Sequence, residues 1–256
     1  MLTHEQGLGD SIQFIRYAKM VKARGARVRF LGLEPLRKLF VGVEGIDEFL
    51  TASEDEDFDY HCPLLSLPKV FKTTLDTVPC DIPYVTPPPE EAIRYYGKRL
   101  KVGIAWAGRP EHAKDQWRSI TAKHFEPLMD VEGIEWVSLQ IGPKASMVSD
   151  LPSCVYDYSK DILDFTDTAR VIGHELDLVI SVDTSLVHLA GALGKNVWML
   201  TPFNPDWRWM LERTDSPWYP TMRLFRQPQL DDWDSVFSEV KTALINAVGL
   251  HKLQTC

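Results

Sequence analysis

The feature that most constrains the fold is an apolar run that ends in a polar turn and continues into a helix of small residues. The run covers residues 178–182 and reads as a buried strand, and Asp183, Thr184 and Ser185 form the turn. A strand that delivers this turn into a helix start aims several free backbone N–H groups, and the positive end of the helix dipole, at one point. Such a point favours a phosphate or diphosphate group.

A second polar turn opens a helix near the N-terminus. Residues 5–10 read Glu-Gln-Gly-Leu-Gly-Asp, and the apolar side chains at 14, 15, 18 and 21 share one face of the helix that follows. The two helix starts lie on separate halves of one chain. We therefore expect a cleft with a ligand between them.

Composition excludes several classes of protein. The 256 residues carry a formal net charge of -8, which argues against a surface that coats nucleic acid. The cysteines at 62, 80, 154 and 256 are far apart and match no zinc spacing. No secretory signal opens the chain, and no apolar run approaches the roughly 18 residues of a transmembrane helix. We predict a cytoplasmic protein with no nucleic-acid partner and no integral membrane segment.

The order of elements predicts two α/β halves. Apolar strands alternate with helices along both parts of the chain, which favours parallel sheets covered on both faces. Three consecutive prolines within residues 86–91 predict a stiff linker. We predict an N-terminal domain over residues 1–88, a C-terminal domain over residues 99–230, and a last helix over residues 231–250.

Five segments together resemble the glycosyltransferases often found downstream of tetratricopeptide repeats. This group is similar to the lipopolysaccharide heptosyltransferases of glycosyltransferase family 9, and more distantly to the O-linked N-acetylglucosamine transferases. The resemblance extends from Glu5 to about Val248. The segments that carry it are residues 5–10, 102–108, 183–192, 206–209 and 216–227.

The resemblance implies a GT-B fold, in which two Rossmann-like domains face each other. The acceptor then lies on the N-terminal domain and the nucleotide-sugar donor mostly on the C-terminal one. The last helix is expected to pack back toward the N-terminal domain. The chain departs from the pattern in three ways: the first strand is expected to be shortened, no tetratricopeptide repeat is present, and Lys114 stands where an Asn is expected.

The resemblance also implies that Asp10 is the general base that takes the proton of the acceptor hydroxyl. Gly7 and Gly9 would let the acceptor approach the backbone, and Gln13 completes this acceptor-side group. The alternative for Asp10 is a structural one, in which it only caps the helix.

The donor diphosphate is expected to lie against a second set of residues. The resemblance implies that a cation, Arg118, contacts it, while the helix start supplies hydroxyl and amide groups. Proximity to the helix N-terminus lowers the pKa of His188, so we expect a neutral hydrogen-bond donor. Each residue also has a structural alternative. Arg118 would form a surface salt bridge, Asp183 and Thr184 would only cap the helix, and His188 would be a packed core residue. The full set is Arg118, Asp183, Thr184, Ser185 and His188.

Four further residues are weaker candidates for the donor site: Trp106, His112, Gln140 and Asp206. Gln140 ends a predicted strand, and we expect it to contact the base or the ribose of the nucleotide. For Trp106 the alternative is that it fills the core at the end of a strand. Asp206 and Arg208 either touch the sugar or pin their loop. The neighbouring Trp218-Tyr219-Pro220 segment is distinctive, but its residues suggest no chemistry.

The prediction is an inverting, metal-independent glycosyltransferase of the hexosyl or heptosyl type. It needs no cofactor beyond the nucleotide-sugar substrate, and its acceptor is a glycan, a lipid-linked saccharide or a protein hydroxyl. The acidic residues 55–57 lie in a charged loop and suggest no metal site. Two alternatives stay open: a catalytically degenerate nucleotide-sugar-binding module, and a nucleotide-sugar epimerase on the same fold.

Overall fold

The computed structural model describes residues 1–51, 58–89 and 98–254. The described residues form two parallel sheets with helices packed around them. The strands are β1 Leu2–Thr3, β2 Arg29–Leu31, β3 Glu48–Leu50, β4 Cys62–Pro63, β5 Leu100–Ala105, β6 Ile134–Ser138, β7 Val155–Asp157, β8 Leu178–Val182, β9 Asn196–Thr201 and β10 Met222–Arg226. The α-helices are α1 Leu8–Phe14, α2 Ala18–Lys22, α3 Arg37–Phe40, α4 Leu67–Val70, α5 Asp115–Arg118, α6 Phe165–Arg170, α7 Ser185–Ala192 and α8 Trp233–Gln254.

Shorter helical segments connect these elements. The 3-10 segments are Ile15–Tyr17, Glu34–Leu36, Leu64–Ser66, Leu75–Thr77, Ala122–Leu128, Ala145–Asp150 and Trp207–Trp209, and Val171–Glu175 is a π-helical turn that continues α6. Among the helices described, none combines the length and apolar character needed to cross a bilayer.

The N-terminal sheet has the order β3-β2-β1-β4 and all its pairs are parallel. Its central strand β1 is only two residues long. Leu2 of this strand pairs with Phe30 on one side and with Cys62 on the other. The start of α1 therefore projects from the carboxyl end of a central strand.

The C-terminal sheet has the order β10-β9-β8-β5-β6-β7, again all parallel. The chain moves outward from β5 through β6 to β7, then returns to the other side of β5 with β8. In open α/β sheets, ligands bind outside the carboxyl ends of the strands at such a reversal. The loops after β5 and β8 therefore flank the expected binding position.

Two apolar clusters form the core. The first joins the N-terminal half to one face of the C-terminal sheet, and it contains residues of both α1 and α7. The close contact of these two helices depends on Gly9, because a methyl group there would lie 2.8 Å from the ring of His188 and 3.3 Å from Ser185 Cα. Both halves are thus held together directly behind the cleft.

The C-terminal helix differs from the prediction. Every buried side chain of α8, from Trp233 to Val248, belongs to the second cluster, which covers the other face of the C-terminal sheet. Two exposed ion pairs, Lys241 with Asp130 (3.2 Å) and Arg223 with Glu239 (2.7 Å), also join the helix to the C-terminal half. The apolar stripe of α8 matches an uncovered sheet face of its own half, so α8 packs there rather than toward the N-terminal domain.

The proline-rich segment runs along the C-terminal half as far as it is described. Tyr84 N–H donates to the carbonyl of Ala192 (3.0 Å), and Pro87 packs against Gly173. Residues 90–97, which include the end of the predicted linker, and the acidic residues 55–57 lie outside the described residues. The architecture agrees with the predicted fold class.

Candidate functional site

A cleft of about 1470 Å³ opens between the two sheets. The N-terminal half lines it with residues 6–10 and 33–35, and the C-terminal half lines it with the loops that follow β5, β6, β8 and β9. At its rim, Lys38 Nζ lies 2.9 Å from Asp164 Oδ2 and links the two halves. The two polar helix starts identified in the sequence therefore face one shared space.

Asp10 lies in the first turn of α1 and is 9% exposed. Its Oδ2 accepts a hydrogen bond from the backbone N–H of Gly7 (2.8 Å). Its Oδ1 accepts one from Nη2 of Arg208 (2.7 Å), which arrives from the loop after β9 on the opposite half. The carboxylate therefore caps its own helix and also forms a buried ion pair across the cleft.

Arg208 sits between two carboxylates at the floor of the cleft. Its Nε lies 3.1 Å from Asp206 Oδ1, although within the described part of the chain this N–H makes no hydrogen bond of good geometry. Burial by itself lowers the pKa of Arg208, but the carboxylates of Asp206 and Asp10 outweigh burial, and the pKa is raised. The guanidinium is thus a permanent charge that faces the cleft.

The start of α7 has no acidic residue in its first turn. Thr184 is the N-cap, and its hydroxyl accepts the N–H of Leu186 (3.3 Å), while Ser185 is half-buried on the cleft wall. Asp183 also lines the cleft, and its Oδ2 accepts the indole N–H of Trp209 (3.0 Å). Burial raises the pKa of Asp183, and the hydrogen bond from Trp209 opposes that rise.

His188 lines the cleft one turn into α7 and is 2% exposed. Its Nδ1 lies 2.9 Å from the hydroxyl of Tyr219, and its ring stacks on Trp209 with centroids 5.3 Å apart. The pKa of His188 is held well below its usual value, first by burial and then by the charges of Arg208, Arg16 and Arg118. The direction agrees with the sequence analysis, and burial is the largest cause of it.

Arg118 reaches the cleft from the end of α5. Its Nη1 donates to the backbone carbonyl of Asp183 (2.8 Å), and its side chain lies over Gly108, where a methyl group would approach to 2.4 Å. Asp115 supports it from behind (Nε to Oδ1, 3.5 Å). Burial alone would raise the pKa of Asp115, but hydrogen bonds from Ser119 and Lys144 outweigh burial and lower it.

Three predicted site residues do not offer free groups to the cleft. Gln13 is fully buried within α1 and does not line the cleft. Trp106 is also fully buried, because it fills the second apolar cluster and donates its indole N–H to the carbonyl of Lys144 (3.2 Å). Gln140 lines the cleft, but its amide binds the backbone of residues 106, 107 and 141. Direct ligand contacts by these side chains are not supported.

The other predicted residues all line the cleft. His112 accepts the backbone N–H of Lys114 at Nδ1 (3.2 Å), and burial together with Arg118 lowers its pKa. Asp206 accepts the backbone N–H of Arg208 (3.2 Å) at the start of a 3-10 turn. Gly7 and Gly9 lie beside Asp10 in the cleft wall.

The sequence leaves two roles open for Arg208 and suggests no chemistry for Tyr219. Both residues act through partners far away in the chain, 198 residues for the Asp10–Arg208 pair and 31 for the His188–Tyr219 pair. For Arg208, the available signal was the mixture of charged and aromatic residues at 206–209, in the loop that follows a strand ending at the cleft.

Comparison with curated proteins finds similarity to a longer bacterial protein. The chain is 26% identical to Protein FlbA of Caulobacter vibrioides (strain ATCC 19089 / CIP 103742 / CB 15) over 277 aligned residues. The alignment covers 95% of this chain and 46% of FlbA, so the chain spans about half the length of that relative. No family profile matches the chain.

Comparison with solved structures finds the same architecture in heptosyltransferases. E. coli ADP-heptose lipopolysaccharide heptosyltransferase II aligns with a TM-score of 0.66 at 12% identity, over 99% of this chain and 98% of that one. The glycosyltransferase family 9 protein of Veillonella parvula DSM 2008 aligns with a TM-score of 0.63 at 10% identity, over 99% and 97%. At such low identity the likeness establishes the fold, and the predicted GT-B architecture is confirmed.

A third structural neighbour is the iron-containing dodecameric glycosyltransferase TibC of enterotoxigenic E. coli H10407. It aligns with a TM-score of 0.57 at 12% identity, over 99% of this chain and 76% of TibC. In the described part of this chain, no three His, Cys, Asp or Glu side chains are grouped so that they could hold a metal ion. The described residues therefore supply no ligand set that fits such an iron.

Proposed function

We propose that this chain is an inverting glycosyltransferase that moves a sugar from a nucleotide-sugar donor to a hydroxyl acceptor. The observation that carries the proposal is the meeting of two unlike helix starts in one cleft, a carboxylate on α1 and an acid-free N-terminus on α7. The heptosyltransferase-like fold supports the same conclusion. We assign the acceptor side to residues 1–88 and the donor side to residues 99–230.

Asp10 is proposed as the general base. Each carboxylate oxygen accepts one hydrogen bond, from Gly7 and from Arg208, and keeps a further lone pair for an acceptor hydroxyl. The hydroxyl oxygen attacks the anomeric carbon from the side opposite the diphosphate, and its proton passes to Asp10. The bond from the anomeric carbon to the diphosphate oxygen breaks, and its electron pair leaves with the diphosphate. Because attack and departure occur on opposite sides, the configuration at the anomeric carbon inverts.

The start of α7 is proposed to receive the negative charge of the leaving diphosphate. The N–H groups of its first turn carry the positive end of the helix dipole, and the hydroxyl of Ser185 lies on the cleft wall. Arg118 adds a guanidinium that Asp115 and the carbonyl of Asp183 hold in place. Neutral His188 adds a hydrogen-bond donor, and these fixed groups need no reorganisation as charge develops.

The proposal assigns the chemistry to protein side chains and needs no metal step. The expectation that the enzyme works without a metal remains a prediction, which activity in the presence of a chelator would test. The neighbour named for ADP-heptose makes adenosine diphosphate the first donor fragment to try. Glycan, lipid-linked and protein hydroxyls are all candidate acceptors, and the cytoplasmic location is likewise a prediction.

A nucleotide screen tests the proposed donor site. A ligand present at 100 times its Kd stabilises the folded protein by about 2.7 kcal/mol, so ADP, UDP, GDP and CMP can be ranked by their effect on Tm. We expect one nucleoside diphosphate to raise the Tm by several degrees. Arg118→Ala should weaken binding of that nucleotide about tenfold or more by calorimetry, because a charge-assisted contact is lost.

Arg109→Ala is the matched control for this experiment. Arg109 lies on the same cleft wall, but its side chain is 75% exposed. Its ion pair with Glu111 is loose, with Nε 3.9 Å from Oε2 of that residue. Its loss should change nucleotide affinity about twofold or less. Equal affinities of the Arg118→Ala variant and the parent protein would place the diphosphate elsewhere, and no response to any nucleotide would remove the proposal.

A further inference from the structure

Tyr219, from the segment that suggested no chemistry, touches the proposed diphosphate site from behind. It is fully buried, and its hydroxyl lies 2.9 Å from Nδ1 of His188. Gly191 of α7 makes this approach possible, because a methyl group there would lie 2.4 Å from the Tyr219 ring. The contact is therefore built into the packing of α7.

The hydrogen of the Tyr219 hydroxyl can be placed by following its neighbours. Arg16 Nη2 donates to the oxygen of Tyr84 (2.7 Å), and Tyr84 in turn donates to the carbonyl of Ile12 (3.0 Å). The oxygen of Tyr219 lies farther from Tyr84, at 3.4 Å. The hydrogen of Tyr84 is thus used by Ile12, and the nearest acceptor for the hydrogen of Tyr219 is His188 Nδ1.

The surrounding charge favours the same direction. The buried guanidinium of Arg16 lies 4.6 Å from the centroid of the Tyr219 ring, and a nearby cation makes a hydroxyl a stronger hydrogen-bond donor and a weaker acceptor. Burial keeps the pKa of Tyr219 well above its usual value and that of His188 well below. The phenol therefore keeps its hydrogen, and the imidazole carries a single one.

We propose that Tyr219 is a positioning residue that holds His188 in the tautomer with its hydrogen on Nε2. A neutral imidazole whose Nδ1 accepts a hydrogen bond carries its own hydrogen on the other nitrogen. Nε2 lies on the side of Gly9, 3.5 Å from where a methyl group on that glycine would stand, and stacking on Trp209 fixes the ring plane. The hydrogen is offered to the donor phosphate, and this last step rests on the proposed function.

Histidine NMR of the 256-residue chain tests the tautomer without any ligand. The seven histidines are labelled with nitrogen-15, and His188→Gln assigns the signal of interest. We expect His188 in the parent protein to show a protonated Nε2 and an unprotonated Nδ1, and Tyr219→Phe to convert this pattern into a mixture of both tautomers. A protonated Nδ1 in the parent protein overturns the inference even if the variant does not fold.

Tyr17→Phe is the matched control, because it removes another buried hydroxyl, bonded to Thr73 Oγ1 at 2.9 Å. It should leave the His188 signal unchanged. Tyr219→Phe should weaken binding of ADP, or of the nucleotide the screen selects, about fivefold, and Tyr17→Phe should not.

The two readouts separate this inference from the proposed function. If the His188 tautomer responds to Tyr219→Phe but no nucleotide binds, the proposed function fails and the positioning role of Tyr219 stands. If a nucleotide binds and the tautomer is the same in parent and Tyr219→Phe proteins, the positioning role is wrong and the donor site stands.

Discussion

The two helix starts in the cleft have the same backbone design and opposite charge. Both α1 and α7 begin at the carboxyl end of a central parallel strand, and the helices pack against each other. In α1 the first turn contains Asp10, whose carboxylate accepts a hydrogen bond from the backbone N–H of Gly7. In α7 the first turn contains no acid, and the cap is the hydroxyl of Thr184. One residue type thus decides whether a helix start carries a carboxylate or leaves the positive end of its dipole without one.

The difference has an electrostatic consequence for the whole cleft. A carboxylate in the first turn offsets the positive end of the α1 dipole, whereas α7 keeps its own and gains the guanidinium of Arg118. We call the start of α1, with Asp10, the acidic wall of the cleft, and the start of α7, with Arg118 beside it, the basic wall. Arg208 crosses from the basic side and pairs with Asp10 at 2.7 Å, so the two walls are joined at the floor.

The largest effect is expected when the acidic wall loses its charge. Asp10→Asn keeps an oxygen that accepts from Arg208 but cannot take a proton, so sugar transfer should fall about 10²- to 10⁴-fold. Nucleotide affinity should stay within about threefold, because the base acts on the acceptor. Transfer assays and calorimetry on the same preparation measure both quantities, and a thermal melt checks that the variant is folded.

Asp206→Asn separates the role of base from the neutralisation of Arg208. Asp206 pairs with the same guanidinium at 3.1 Å, but it lies on the donor half. If Asp10 is the base, this control should lose about tenfold or less. A loss of transfer that is equal in the two variants would show that the charge balance around Arg208, and not proton removal, limits the reaction.

Much of this comparison could be predicted from the sequence. The apolar run at 178–182 coincides with β8, and the polar turn after it leads directly into α7. Asp10 also lies in the cleft beside the donor half. These features depend on neighbours within one or two turns, where hydrophobic period, capping and chain direction determine the structure.

The contacts that cross between elements could not be predicted. The pairing of Asp10 with Arg208 joins residues 198 positions apart and depends on how the two halves meet. The burial of Gln13 and the saturation of the Gln140 amide follow from the packing around them, which no local pattern encodes. The apolar stripe of α8 was visible, but its choice of sheet face depends on which surface the other elements leave uncovered.

A smaller effect, on nucleotide affinity, is expected when a carboxylate is introduced into the basic wall at the start of α7. Ser185→Asp places a carboxylate in the first turn of α7, where the helix dipole should stabilise the folded protein by about 0.3–1 kcal/mol. The same charge should repel a diphosphate and weaken nucleotide binding about 30- to 100-fold. Thermal melts and calorimetry should thus move in opposite directions.

Ser185→Ala is the control for this change, because it removes the hydroxyl without adding charge. Its loss of affinity should be only a few-fold, the size of one neutral hydrogen bond. Ser185→Asp binding a nucleotide as well as Ser185→Ala would mean that the anion does not lie at the start of α7.

The smallest expected effect concerns the contact between the two helix starts. Gly9→Ala puts a methyl group 2.8 Å from the ring of His188 and 3.3 Å from Ser185 Cα. His188 is buried and stacked on Trp209, so neither neighbour can move freely, and we expect a loss of about 1–2 kcal/mol in the free energy of unfolding. Gly249→Ala in α8 meets no atom within 4 Å, and the better helix propensity of alanine should stabilise the protein by up to about 1 kcal/mol. Denaturant titrations of both variants measure the difference in sign. If Gly9→Ala is as stable as Gly249→Ala, the helices are not held at this distance, and the acidic and basic walls are free to separate.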